Sequence, residues 1–452
     1  MKSKIFFILS FFCLLFAGCS DDVEVVNISN TEFKDIPADG NTYQVKLDIA
    51  GEWTATSLVD WCSVTKTSGY GPKDLSIIVE GNLGEERTGE IVIYSAGSKK
   101  SIYLKQAGST EGLESHYKLP IVFHILYNDP NDRNQNPDSA TIYKILDDVN
   151  AFYAKASESS PNLKLEFVPA QFDPQGNKMD EPGIERVKWV TSTLSAEDVM
   201  SDNTNKYTHF LWEPNDYINV LVYQFSNSQI LGISTFPYST ESHPLEGTDI
   251  VPDMNISLEN LTYVRGVSLN SSYIYNSDDY FVQMGLVPDE WKDLMNKQNK
   301  TYITLAHELG HYLGLFHTFS ENIGGPCKDT DKCSDTPTYD KYGENGYDVQ
   351  VQTILQMISI NPDFAATFDW GKLFLRTDEK GEQFESHNIM DYAYSYLDEF
   401  SQQQRDRVRH VLNYSPMIPG PKSTRSTLSR SVSGPMDLPF SISDGYPVKG
   451  IK

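Results

Sequence analysis

Between residues 23 and 109 apolar and polar positions alternate in short runs, at residues 42–49, 75–79, 90–94 and 101–105. A period of two is that of a strand with one buried face. Gly51, Gly69, Gly71, Gly81 and Gly97 punctuate the runs as turn residues do. No helical period of useful length appears there, and the pattern predicts an all-β sandwich over 23–109. Residues 109–114 form a short polar linker. Beyond it the period changes. Strand-like runs at 121–127, 163–167 and 218–223 alternate with a helical pattern over 140–153, which predicts an α/β (α+β) lobe with a mixed sheet. His124 lies among apolar neighbours of the first run and reads as a buried structural histidine. Tyr302, Ile303, Leu305, Leu309, Leu313 and Phe316 recur at helical spacing. Ser401 and Gln404 form a capping box that opens a helix to about Asn413. From 417 to 452 the chain turns rich in Pro, Ser, Gly and Arg without period, which predicts a flexible tail after a lobe spanning 115–416.

The helix predicted near residue 305 carries chemistry that core packing does not explain. His307 and His311 are four apart and share a face one turn apart. Glu308 follows the first histidine and can take a proton from an activated water. Gly314 can enter the left-handed conformation cheaply and end the helix, so the chain can turn back and deliver His317. Three imidazoles with a fourth position open are the ligand set of a catalytic Zn²⁺.

The stretch from His307 to His317 resembles the extended motif of the metzincin metallopeptidases. Residues 386–392, Ser-His-Asn-Ile-Met-Asp-Tyr, resemble their Met-turn. Within that clan the chain is similar to the pappalysin family, in residues 314–319, in Ser334-Asp335-Thr336-Pro337, in residues 388–392 and in the opening run 119–127. The resemblance implies a zinc endopeptidase in which Met390 floors the site and Tyr392 binds zinc or steadies the oxyanion. It also implies that the edge strand with Gly232, Ile233, Ser234 and Thr235 holds an extended peptide antiparallel to itself. Asp329, Asp331 and Asp335 could hold Ca²⁺, or form a solvated acidic loop.

Trp61-Cys62-Ser63-Val64, residues 87–93 and residues 104–108 resemble a BACON domain, which implies an Ig-like sandwich and carbohydrate contact or a spacer role. Trp53 and Trp61 are either sugar platforms or core. Lys2 and Lys4 precede an apolar run too short to span a membrane, as in a signal peptide. The run ends in Leu-Phe-Ala-Gly-Cys, which resembles a bacterial lipobox. Residues 1–19 would then be a lipoprotein signal, with Cys19 lipidated and the protein exported to the outer membrane or cell surface of a Gram-negative bacterium. Export permits disulfides. Cys327 and Cys333 could close a small loop, or remain free thiols, and Cys62 reads as a small buried hydrophobe. A net charge of −25 excludes nucleic acid as a partner and leaves membrane contact to the lipid alone. The expected partner is a protein or peptide substrate, glycoproteins included. The alternative is a surface glycan- or glycoprotein-binding lipoprotein with an inactive metzincin lobe.

Overall fold

The computed structural model describes residues 26–38, 41–80, 82, 85–108, 116–323, 325–392, 394–420, 422 and 432–447. The expected signal segment and Cys19 lie outside them. No helix among the described residues is long and apolar enough to cross a membrane.

The alternating runs at the N-terminal end become two sheets of four and five strands. Period two puts Val45, Leu47, Leu75 and Ile77 of one sheet against Ile91, Ile93, Ile102 and Leu104 of the other, all buried in one core. Trp53 and Trp61 belong to that core. The Trp53 indole N–H donates to the Gly71 carbonyl at 3.1 Å. A Cβ on Gly69 would come within 2.5 Å of the Trp53 ring, so the strand bearing Gly69 closes directly over it. Neither tryptophan offers a face to a sugar. Cys62 is buried, and burial pushes its thiol up to about 11, as for an inert core residue.

The second lobe is built on a seven-stranded mixed sheet. Tyr117–Tyr127 is its central strand. It pairs in parallel with Leu165–Pro169 and Ile184–Lys188 along one side and with Ile218–Tyr223 along the other. Val267–Asn270 continues in parallel, and Ile230–Ser234 then runs antiparallel to it. Every residue of Ile218–Tyr223 is buried, and all but Asn219 are apolar, which reflects cover on both faces. Val220 and Val222 meet the helices Ser139–Lys155 and Thr301–Tyr312 in the main core, whereas Leu221 and Tyr223 meet a second cluster on the opposite face. His124 is buried between Glu185 at 2.6 Å and Asn219 at 2.9 Å, a structural histidine. The capping box of Ser401 and Gln404 forms and opens the helix Gln402–Tyr414.

The tail expected to be flexible after residue 416 is instead packed at residues 417–420, 438–443 and 445–447, while Val432, Ser433, Pro435 and Asp437 are exposed. Met417, Ile418 and Tyr446 are wholly buried, and Tyr446–Pro447 adds an antiparallel strand to Ile230–Ser234. The lobe therefore extends past residue 416. Polar composition hid this because the tail is held by backbone pairing and a few isolated apolar anchors, none of which shows as a period.

Candidate metal centre

The helix Thr301–Tyr312 ends in a Schellman motif. Leu315 N–H reaches back to the Gly310 carbonyl and Gly314 N–H to that of His311, both at 2.9 Å. Gly314 takes φ +93°, a region costly to any residue with a Cβ. The reversal brings His317 back beside the helix.

The Nε or Nδ atoms of His307, His311 and His317 lie within 4.8 Å of one another, and all three rings are buried. Each ring is oriented through its Nδ1. His307 donates to the Ile389 carbonyl at 2.7 Å and His311 to the Leu315 carbonyl at 2.8 Å. His317 faces Glu321 Oε1 at 2.5 Å. A carbonyl only accepts, so the proton sits on Nδ1 and the lone pair on Nε2. His311 Nε2 and His317 Nε2 stand 3.0 Å apart. Two lone pairs at that distance repel unless a cation lies between them. The spacing is near the roughly 3.3 Å that two nitrogens about 2.0–2.1 Å from a tetrahedral zinc would keep. Burial and the neighbouring His317 also hold His311 well below the usual histidine range, in the neutral form a metal requires. The residues present fit zinc.

The segment with Met390 packs beneath this group. A Cβ on Gly310 would lie 2.5 Å from the Met390 sulfur, so the glycine of the motif is what lets the methionine approach. Thr318 N–H donates to the Met390 carbonyl at 3.2 Å, tying the third histidine to the same turn. Asp391 fixes the turn from below. It accepts from Tyr339, Ser386 and Arg376, and both members of the Arg376–Asp391 pair are fully buried. The Tyr392 ring is 4.0 Å from that of His317 and 5.3 Å from that of His307.

Glu308 is buried beside Gly232, where a Cβ would come within 2.9 Å of its Cγ. Burial pushes its carboxyl up to about 8, opposed by the Ser443 hydroxyl and the Tyr446 N–H. Its Oε2 accepts from Ser443 at 3.1 Å, while Oε1 has no hydrogen-bond partner among the described residues. Gly232, Ile233 and Ser234 lie on the strand Ile230–Ser234, and Thr235 follows it. That strand is an inner strand in this structure, because the tail pairs along its outer side.

Two expectations are corrected. Cys327 and Cys333 are free thiols. Cys327 lies by the Ser320 hydroxyl, whereas Cys333 is buried towards Arg407, so the two point to different neighbours. Asp329, Asp331 and Asp335 do not converge into a calcium cage, and among the described residues only the three histidines form a metal-sized group of three. Each carboxylate has local work. Asp329 accepts the Asp331 N–H at 3.0 Å, and Asp331 accepts Cys333 N–H and the Thr336 hydroxyl. Asp335 accepts the Ser401 hydroxyl and Gln403 N–H at the start of the last helix, where a negative charge is favoured. Sequence reasoning missed Glu321, although its position four after His317 in a reversing segment was a usable signal. It also missed Ser443 and Tyr446, for which no local signal exists.

Residues 249–413 match peptidase family M43, described as pregnancy-associated plasma protein-A. Residues 51–107 match BACON, described as a putative binding domain, N-terminal. An extracellular metalloprotease of Arthroderma otae is 36% identical over 91 residues, covering 20% of this chain and 31% of the relative. Another from Arthroderma benhamiae is 32% identical over 110 residues, 24% of this chain and 28% of the relative. The chain thus spans about a third of the length of these curated relatives. A solved Bacteroides ovatus GH5 xyloglucanase in complex with a XXXG heptasaccharide is 15% identical, covers 45% of this chain and 56% of that one, and has a TM-score of 0.18, too low to bear on the fold. The chain is thus similar to peptidase family M43 over residues 249–413 and to BACON domains over residues 51–107.

Proposed function

We propose that this protein is a zinc-dependent endopeptidase that hydrolyses peptide bonds of extracellular proteins or glycoproteins. The observation that carries this is the convergence of three buried imidazoles, each oriented through Nδ1, beside a buried carboxyl. His307, His311 and His317 would hold the ion, which when bound supplies Lewis acidity to a scissile carbonyl and to water. Glu308 takes a proton from the attacking water and returns it to the leaving amine. Its buried position on the same helix as His307 and His311 suits both transfers. Tyr392, whose ring lies 4.0 Å from that of His317, would steady negative charge on the carbonyl oxygen. Met390 packs under the rings and takes no part in proton transfer. Gly232 to Thr235 supply main-chain groups that hold a peptide extended past Glu308. The apolar N-terminal run and the lipobox-like Cys19 support export and anchoring at the cell surface through lipid.

Because residues 441–447 lie across this site, the decisive assay uses zinc-loaded chain both intact and ending at Phe440. A quenched peptide library should be cleaved, and a zinc chelator should stop it. Glu308→Gln should keep zinc and lose activity by about 10²–10⁴-fold. Absence of cleavage by both forms, each holding stoichiometric zinc, would leave the peptidase reading untenable.

A further inference from the structure

The tail reaches the metal centre along a built path. Asn260 holds the carbonyls of Val432 and Gly434 through its side-chain amide, at 2.7 and 2.8 Å, and its own carbonyl accepts Met436 N–H at 3.0 Å. Leu438 is buried in the second core, and Phe440 packs on Tyr263 with ring centroids 4.5 Å apart. The Ser441 hydroxyl donates to Asp249 at 2.6 Å. From there the chain lies antiparallel along the strand that passes Glu308. Phe236 N–H donates to the Ser441 carbonyl at 3.1 Å, and Ser443 N–H donates to the Ser234 carbonyl at 2.8 Å. Ile442 faces Thr235, and Tyr446 faces Gly232.

These residues cover the reacting groups themselves. The Ser443 hydroxyl donates to Glu308 Oε2 at 3.1 Å, and Tyr446 N–H donates to the same side chain. The Tyr446 ring is wholly buried, edge-on to His307 at 4.6 Å and to Tyr392 at 5.7 Å. A polypeptide backbone, a hydroxyl and an aromatic ring thus fill the space that an extended peptide must enter. The match is to main-chain donors and acceptors, which any peptide shares.

We propose that residues 441–447 are an intramolecular occupant of the substrate groove, and that the intact chain is latent until this segment is displaced. The proposal rests on the peptidase reading, and it is tested in a way that separates the two. Tethered occupancy works at an effective concentration of the order of millimolar, so a weak plug suffices. The zinc-loaded chain ending at Phe440 should cleave quenched peptides with kcat/KM at least about 10-fold above the intact chain. The synthetic peptide of residues 441–447 should inhibit it competitively, raising KM at unchanged kcat, and the same peptide with Tyr446→Ala should not. If truncation impairs folding, Gly445→Val in the full chain decides instead. Gly445 has φ +83°, and a Cβ there would meet Ile230 Cγ2 at 3.0 Å, so valine should expel the strand and raise activity likewise. Equal kcat/KM for the intact chain and for whichever displaced form folds would overturn the proposal. Should no form cleave, fluorescence anisotropy of the labelled peptide decides. Binding to the displaced form but not to the intact chain would uphold the plug while the peptidase reading fails, and binding to neither would overturn the plug as well.

Discussion

Gly314→Ala strikes at the turn on which the third ligand depends. The residue sits at φ +93°, and a Cβ there would lie 2.9 Å from Val411 Cγ2 on the last helix. Left-handed backbone costs an L-residue about 1–2 kcal/mol. Pushing an extra methyl into a packed contact costs a further ~1–3 kcal/mol. The variant should therefore lose about 3 kcal/mol if the turn holds, which lowers the melting midpoint by several degrees. If the turn gives way instead, the helix runs on past Leu313, His317 swings out, and zinc is left with two imidazoles. Thermal melting in chelator reports the first outcome, and zinc affinity by competition with a chromophoric chelator reports the second. Gly314→Asn separates the contributions, because asparagine tolerates the left-handed region and keeps only the contact with Val411. It should retain zinc better than alanine does. A Gly314→Ala protein that melts within a degree of the parent and binds zinc equally well would refute the argument that this glycine builds the site.

Other consequences are as direct. Glu321 orients His317 at 2.5 Å, so Glu321→Ala should weaken zinc binding about 10–100-fold and Glu321→Gln less. Unchanged affinity in the alanine variant, by the same chelator competition, would remove Glu321 from the site. Asp279 caps a short helix from a buried position, and burial raises its carboxyl from 3.8 to about 6. The native state then binds this proton more tightly than the unfolded chain, so stability from this group is full below pH 4 and is lost as pH rises through about 6. Asp279→Asn should gain on the parent by about 3 kcal/mol between pH 4 and 7.5, at ~1.4 kcal/mol per pH unit. Urea unfolding at three pH values measures it, and a constant difference would contradict the assignment.

What the sequence made legible was whatever lies within one helix and one turn. The three imidazoles are separated by four and six positions, so their convergence needs only helical geometry and the freedom of Gly314. The period-two runs likewise placed the strands of the first module, and its core took Trp53 from a strand and Trp61 from the turn before Cys62–Val64. The misses share another cause. The aspartates at 329, 331 and 335 looked like oxygen ligands, but backbone N–H groups and hydroxyls two to five residues away, and the start of a distant helix, had prior claim on them. Cys327 and Cys333 are close in sequence, yet Cys333 is buried and Cys327 is only half-buried beside other neighbours. The tail was illegible because its order comes from partners far off in the chain, such as Asn260 and Ser234, and no window of local sequence contains them.

The central claim is a single zinc ion held by three imidazoles with a position left for chemistry. X-ray absorption at the zinc edge of the stoichiometrically loaded protein tests it most directly. The account predicts three nitrogen neighbours at about 2.0–2.1 Å with the multiple scattering of imidazole, falling to two in His317→Ala. A shell containing sulfur, or one unchanged by that substitution, would contradict it.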